Sequence, residues 1–188
     1  MQNDKLDAKD GVGASVDRRA LLAELLNPRG HFEVECLGPD GKLKWRDEIE
    51  NLVVYAGKNS MLDKFLDLGA AHSNVLMGLK GTGATALANT MGSHSPWLEV
   101  GLANAPTYTG TRKAPSFSAA ANGSKATTAA QAFAITSAGT VSGCFICMSG
   151  STTKDDTTGT LLSVGDFATG DKLVGNLDTL NVTYSLAL

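Results

Sequence analysis

At 188 residues the chain is long enough to bury a real hydrophobic core as one domain with an appendage. A net charge of -3 offers no basic footprint for nucleic acid, and no apolar run approaches the roughly 18 residues needed to span a bilayer. Of the 35 acidic and basic residues, 23 fall in residues 1–67; the rest of the chain is mostly Thr, Ala, Ser, Gly and aliphatics, poor material for an enzyme site but suited to a β-rich module whose uncharged faces are covered by other protein.

Residues 1–14 are polar, with Gly11 and Gly13, and carry too little apolar area to order themselves, so a flexible arm is expected. This terminus lacks a basic stretch leading into an apolar one, which places synthesis in the cytoplasm. Asp17 can cap a short helix over Arg18–Leu26, with Leu21, Leu22, Leu25 and Leu26 on one stripe and Asn27-Pro28 as its stop. So short a helix is not stable alone, and its stripe must dock on its own domain or on a neighbouring subunit. Arg18-Arg19 reads as the solvated face of that helix. Residues 1–29 are therefore read as arm and helix, and 30–188 as a β domain, its 30–69 portion charged and its 70–188 portion uncharged.

His31–Leu37 alternates, with Phe32, Val34 and Cys36 on one face and His31, Glu33 and Glu35 on the other, which predicts a half-buried strand. Gly38-Pro39-Asp40-Gly41 is a turn, and the return strand carries Leu43 and Trp45 between Lys42, Lys44 and Arg46, setting a basic strand beside an acidic one. Leu52–Tyr55 reads as a buried strand, after which Asn59 caps a second helix with Met61, Leu62, Phe65, Leu66 and Leu68 at helical spacing and Gly69 as its stop.

Beyond Arg112 only strand and turn signals remain, over 115–119, 127–136, 140–148, 160–164, 172–175 and 179–188. The last is the clearest, placing Leu180, Val182, Tyr184, Leu186 and Leu188 on one face. The expected architecture is mainly β: an antiparallel β-sandwich or jelly roll with two short helices and a flexible N-terminal arm.

Motifs for chemistry are weak. Gly57-Lys58-Asn59-Ser60 lacks the Gly and the Ser/Thr that a Walker phosphate loop requires, and Gly57 is read as a tight turn. Gly78, Gly81 and Gly83 mark a sharp loop rather than a dinucleotide fingerprint. His31, His72 and His94 are scattered, although a fold can assemble a triad from distant residues. Cys144 and Cys147 sit three apart on a predicted strand, so they point to opposite faces and read as core residues rather than a metal knuckle. Asp155-Asp156 lacks the acidic ladder of a calcium loop and reads as a solvated turn. No catalytic, cofactor or metal residues are assigned.

Five strings, taken in order, carry a resemblance: Asn51-Leu-Val-Val-Tyr-Ala-Gly-Lys-Asn-Ser-Met-Leu-Asp63, Ala88-Asn-Thr-Met-Gly-Ser-His-Ser-Pro-Trp-Leu-Glu99, Gly139-Thr-Val-Ser-Gly-Cys-Phe145, Gly159-Thr-Leu-Leu-Ser163 and Gly175-Asn-Leu-Asp-Thr-Leu-Asn-Val-Thr-Tyr184. Over residues 31–188 the chain resembles small virion proteins of tailed bacteriophages, of the head decoration, cement or minor capsid kind. The resemblance implies a β-sandwich on the capsid surface, partnered by the major capsid protein and by copies of itself, with no catalytic residues and no cofactor. The partner contacts expected are Leu21, Leu22, Leu25, Leu26, Trp97 and Tyr108. The alternative is a tail, baseplate or fibre component for host attachment, with Trp97, Tyr108 and Trp45 stacking on a glycan.

Overall fold

The computed structural model describes residues 28–66 and 71–188. The expected helix over 18–26 and the arm before it lie outside the described residues. Strands β1 (Arg29–Leu37) and β2 (Leu43–Val53) form the charged hairpin. Its turn closes where the sequence places it: Gly41 N donates to the Gly38 carbonyl at 2.9 Å with φ at 76°, a conformation that favours glycine. β1 alternates as expected, with Phe32, Val34 and Cys36 wholly buried.

The strand expected over Leu52–Tyr55 is not a separate element, because β2 continues to Val53 and pairs there with a later strand. Helix α1 (Tyr55–Leu66) follows directly, so Asn59 sits inside the helix rather than capping it. The start of α1 is fixed by tertiary bonds: Val54 N donates to the Leu162 carbonyl at 3.2 Å and Tyr55 N to the Leu87 carbonyl at 2.9 Å. Gly57 is not a turn glycine either. It faces the Leu162 backbone so closely that a Cβ would collide with that carbonyl.

The remaining strands are β3 (Val75–Lys80), β4 (Glu99–Val100), β5 (Ser124–Ala126), β6 (Gln131–Ala134), β7 (Gly139–Val141), β8 (Gly143–Met148), β9 (Thr160–Asp166), β10 (Lys172–Val174) and β11 (Thr179–Ala187). Every pairing among them is antiparallel, so the protein is mainly β. Nine strands make one sheet in the order β4-β3-β8-β9-β2-β1-β11-β5, with β6 also on β11, while β7 and β10 form a separate pair. The single strand expected over 140–148 is thus two, since Gly139–Val141 pairs with β10 and Gly143–Met148 inserts between β3 and β9. Of the strand expected over 115–119, only an isolated bridge from Phe117 to Thr127 forms.

Burial explains the composition. β3, β8 and β9 are buried on both faces, as their near-continuous apolar runs require. One face joins a large core with Phe32, Val34, Ile49, Phe133, Val182 and Tyr184; the other packs under Val54, Met91 and Trp97. The uncharged faces of these central strands are therefore covered by the chain itself, one by strands β1, β2, β6 and β11 and the other by the start of α1 and by loops. Cys144 lies in the first cluster and Cys147 in the second, the opposite orientations expected of residues three apart on a strand.

Candidate interaction surfaces

The charge-poor portion turns much of its remaining charge inward. Arg112 and Glu99 are both buried and doubly hydrogen-bonded, with Nε donating to Oε1 at 3.0 Å and Nη2 to Oε2. Arg112 also donates to the carbonyls of Ser151 (3.0 Å) and Asp156 (2.6 Å), while Glu99 Oε2 accepts Asp155 N at 2.9 Å. One ion pair therefore anchors β4, the loop entering at residue 101 and the turn around 151–156. Lys154 adds a second anchor: its Nζ donates to the Tyr108 carbonyl at 2.7 Å and lies 4.2 Å from the Tyr108 ring centre. Lys80, wholly buried, donates to the carbonyls of Gly81 and Gly83 and to Asp166. Asp155 accepts from Ala103 N on the neighbouring loop, and Asp156 accepts from Thr158 within its own turn.

These anchors fix a surface that carries almost no charge. Along 109–136 the exposed side chains are mostly Thr, Ser and Ala, among them Thr109, Thr111, Ser116, Ser118, Ala120, Ala130 and Thr136, with Lys125 the one exposed charge. Four leucines between β3 and β11 also stand in water: Leu98 and Leu102 at 55%, Leu177 at 66% and Leu173 at 77% exposure. Leu98 borders an uncharged cleft of about 520 Å³ with Gly81, Pro96, Val100 and Thr140, and Leu173 pairs with Thr140 across β10 and β7. Leu177 holds φ at 70°, a left-handed conformation costly for leucine. Sequence reasoning missed these leucines because they lie in loops or a short edge strand, where no periodicity separates an inner from an outer side chain.

The aromatic contacts expected from sequence are elsewhere. Trp97 is wholly buried, stacked on His94 with ring centres 4.0 Å apart, its Nε1 donating to Asn89 Oδ1 at 3.0 Å. Tyr108 is 2% exposed and edge-on to Phe133. Burial holds its hydroxyl far above the ordinary tyrosine range. Trp45 is half-buried against Phe167. Neither Trp97 nor Tyr108 offers a ring to a partner or a sugar, because each fills a space between the sheet and its covering loops. Leu21, Leu22, Leu25 and Leu26 lie outside the described residues.

The fold does bring one histidine between two serines. His72 Nε2 lies 2.9 Å from Ser60 Oγ on α1, and Nδ1 lies 2.9 Å from Ser149 Oγ after β8. Burial, with the nearby Lys64 charge, lowers the His72 pKa. Ser60 lies within α1, and Ser149 Oγ also accepts Ser73 N. The arrangement ties α1 to the end of β8.

The outer face of the hairpin is polar. Glu35 pairs with Arg46 as the acidic-beside-basic expectation requires, but Glu33 faces Glu48, and Lys44 reaches to the buried Asp178 at 2.6 Å. Among the described residues no three His, Cys, Asp or Glu side chains are grouped to hold a metal ion, and no helix is long and apolar enough to cross a membrane. Comparison of the chain with protein families, curated proteins and solved structures gave no match.

Proposed function

We propose that this chain is a structural virion protein that decorates a phage capsid and stabilises it by clamping neighbouring capsomers. The observation that carries the reading is the charge-poor surface of residues 109–136, in which Lys125 is the one fully exposed charge, set beside loops anchored by Glu99–Arg112 and Lys154. Uncharged Thr, Ser and Ala side chains are desolvated at little cost, and loops fixed before binding lose little entropy on contact. Many shallow contacts of this kind, repeated over symmetric copies, sum through avidity. The resemblance over residues 31–188 supports the same assignment, and within it the sheet that faces itself across one core is read as a β-sandwich of jelly-roll type.

A protein that binds only the assembled lattice stabilises that lattice by linkage. Particles lacking it should form heads but release DNA at lower temperature, and adding the purified protein should restore resistance with saturable stoichiometry. Particles with unchanged heat resistance that fail to adsorb would reject this reading in favour of a tail component.

A further inference from the structure

Leu177 goes against the chemistry of its own turn. Asp178 N donates to the Gly175 carbonyl at 3.2 Å, and the third residue of that turn, Leu177, holds φ at 70°. Turns of this kind favour glycine or asparagine there, because other side chains are strained at positive φ. The leucine is nevertheless 66% exposed, so packing within the chain does not offset the strain. The turn is also fixed in place: Gly175 N donates to Asp178 Oδ2 at 2.7 Å, Lys44 Nζ to the same oxygen at 2.6 Å, and Leu177 N to the Ile135 carbonyl at 2.9 Å. A large apolar side chain held rigidly in water at a cost to the fold is built as a contact.

The molecule carries a matching hole at its other end. A pocket of about 130 Å³ is lined by Val75, Phe117, Ile146, Leu162 and Leu186, with the Tyr184 ring and the apolar stem of Lys125. An apolar cavity of about 150 Å³ stays dry and takes a benzene-sized group, so this pocket suits one aliphatic side chain. Leu177 cannot fill the pocket of its own chain. It precedes β11, whereas Leu186 lies near the far end of that strand, and nine residues at about 3.4 Å each set the two roughly 30 Å apart. A knob and a hole at opposite ends of one strand meet only between two copies.

Charge favours the same pairing. Around the knob, Lys42 pairs with Asp40, Lys44 with Asp178 and Lys172 with Asp47. Asp171, exposed next to Lys172, has no counterion among the described residues. At the hole, Lys125 is exposed and likewise unpaired among the described residues, and no Asp or Glu occurs between Glu99 and Asp155.

We propose that Leu177 of one copy enters the Val75, Phe117 and Leu186 pocket of a second copy, with Asp171 facing Lys125 across the contact. A contact between opposite ends of the molecule is head-to-tail and repeats from copy to copy. It is independent of the capsid reading and is tested without particles.

In sedimentation experiments the full-length protein should associate as its concentration rises. Leu177→Asn should be monomeric, with its Tm raised by about 2–4 °C over that of the dilute wild-type monomer as the turn strain is relieved. Val75→Trp, which fills the pocket, should be monomeric too. An equimolar mixture of these two variants should give a heterodimer and nothing larger, because one keeps an intact knob and the other an intact hole. Should Val75→Trp misfold, Lys125→Glu takes its place; it should weaken association at least tenfold, and adding Asp171→Lys in the same chain should recover it. A monomeric wild-type chain, association by Leu177→Asn, an unchanged or lower Tm for that variant, or failure of the two variants to complement would each overturn the proposal.

Discussion

The side chains that matter most to this protein are charged residues in its least charged portion. A buried ion pair is weak support for stability as a whole, but removing one member strands the other charge, at about 3–5 kcal/mol. Arg112→Met should therefore destabilise the protein by about that amount and expose the 101–113 and 151–156 backbone to amide exchange, because Glu99 and the Ser151 and Asp156 carbonyls lose their donor together. Glu99→Gln combined with Arg112→Met should be less damaging than Arg112→Met alone, as denaturant titration would show.

The carboxyls of Asp47 and Asp178 respond to pH in one direction. Burial pushes both up, but hydrogen bonds outweigh it, from Lys172 and Thr169 to Asp47 and from Lys44 and Gly175 to Asp178, so both sit below the ordinary value of 3.8. A carboxyl held low in the folded state adds stability above its unfolded pKa and loses it as pH falls through the folded one. Burial raises Cys36 and Cys147 from 9.0 to about 11, so their contribution is present below 9.0 and is lost as pH rises toward about 11. Stability measured by denaturant across pH should be flat near neutrality, decline below about 4 and decline again above about 9. Asp178→Asn should flatten the acid limb.

At the level of single elements, two substitutions oppose local preference to tertiary packing. Gly57→Ala gains up to about 1 kcal/mol of helix propensity. It also drives a methyl group into the Leu162 backbone, and overpacking of this kind costs typically about 1–3 kcal/mol. The collision is with backbone rather than a flexible side-chain end, so packing wins and a lower Tm is expected. In β11, Val182 is wholly buried while Thr183 lies on the outer face directly opposite Glu33. Val182→Asp should abolish soluble protein by burying an unpaired charge. Thr183→Lys should fold and be more stable than Thr183→Asp by about 0.2–1 kcal/mol, since only Lys attracts its cross-strand neighbour. Equal solubility of Val182→Asp and Thr183→Asp would contradict the register of β11.

For the whole molecule, the proposed contact surface makes a separable prediction. Ala120 and Ala130 are exposed on the charge-poor surface, so Ala120→Glu and Ala130→Glu should leave thermal unfolding within the scatter of ordinary surface changes, about ±0.5 kcal/mol. The same substitutions should weaken binding to particles tenfold or more, because each places a charge where a partner must desolvate it. Undiminished binding by both variants would remove this surface from the contact.

Local pattern sufficed for the elements whose environment repeats along the chain. The alternation of Phe32, Val34 and Cys36, and of Leu180, Val182 and Tyr184, fixes which face is buried, and Gly41 fixes the turn between β1 and β2. Period and turn chemistry act within a few residues, so they are written in the sequence itself. Three features depended on partners far along the chain: α1 beginning at Tyr55, the division of 139–148 between two sheets, and the burial of Trp97 and Tyr108. The uncharged composition of the later chain was legible as desolvated surface, but not what desolvates it. For β3, β8 and β9 the covering elements come from the same polypeptide, because a sheet buried on both faces has the same composition whether its cover is a neighbour or itself.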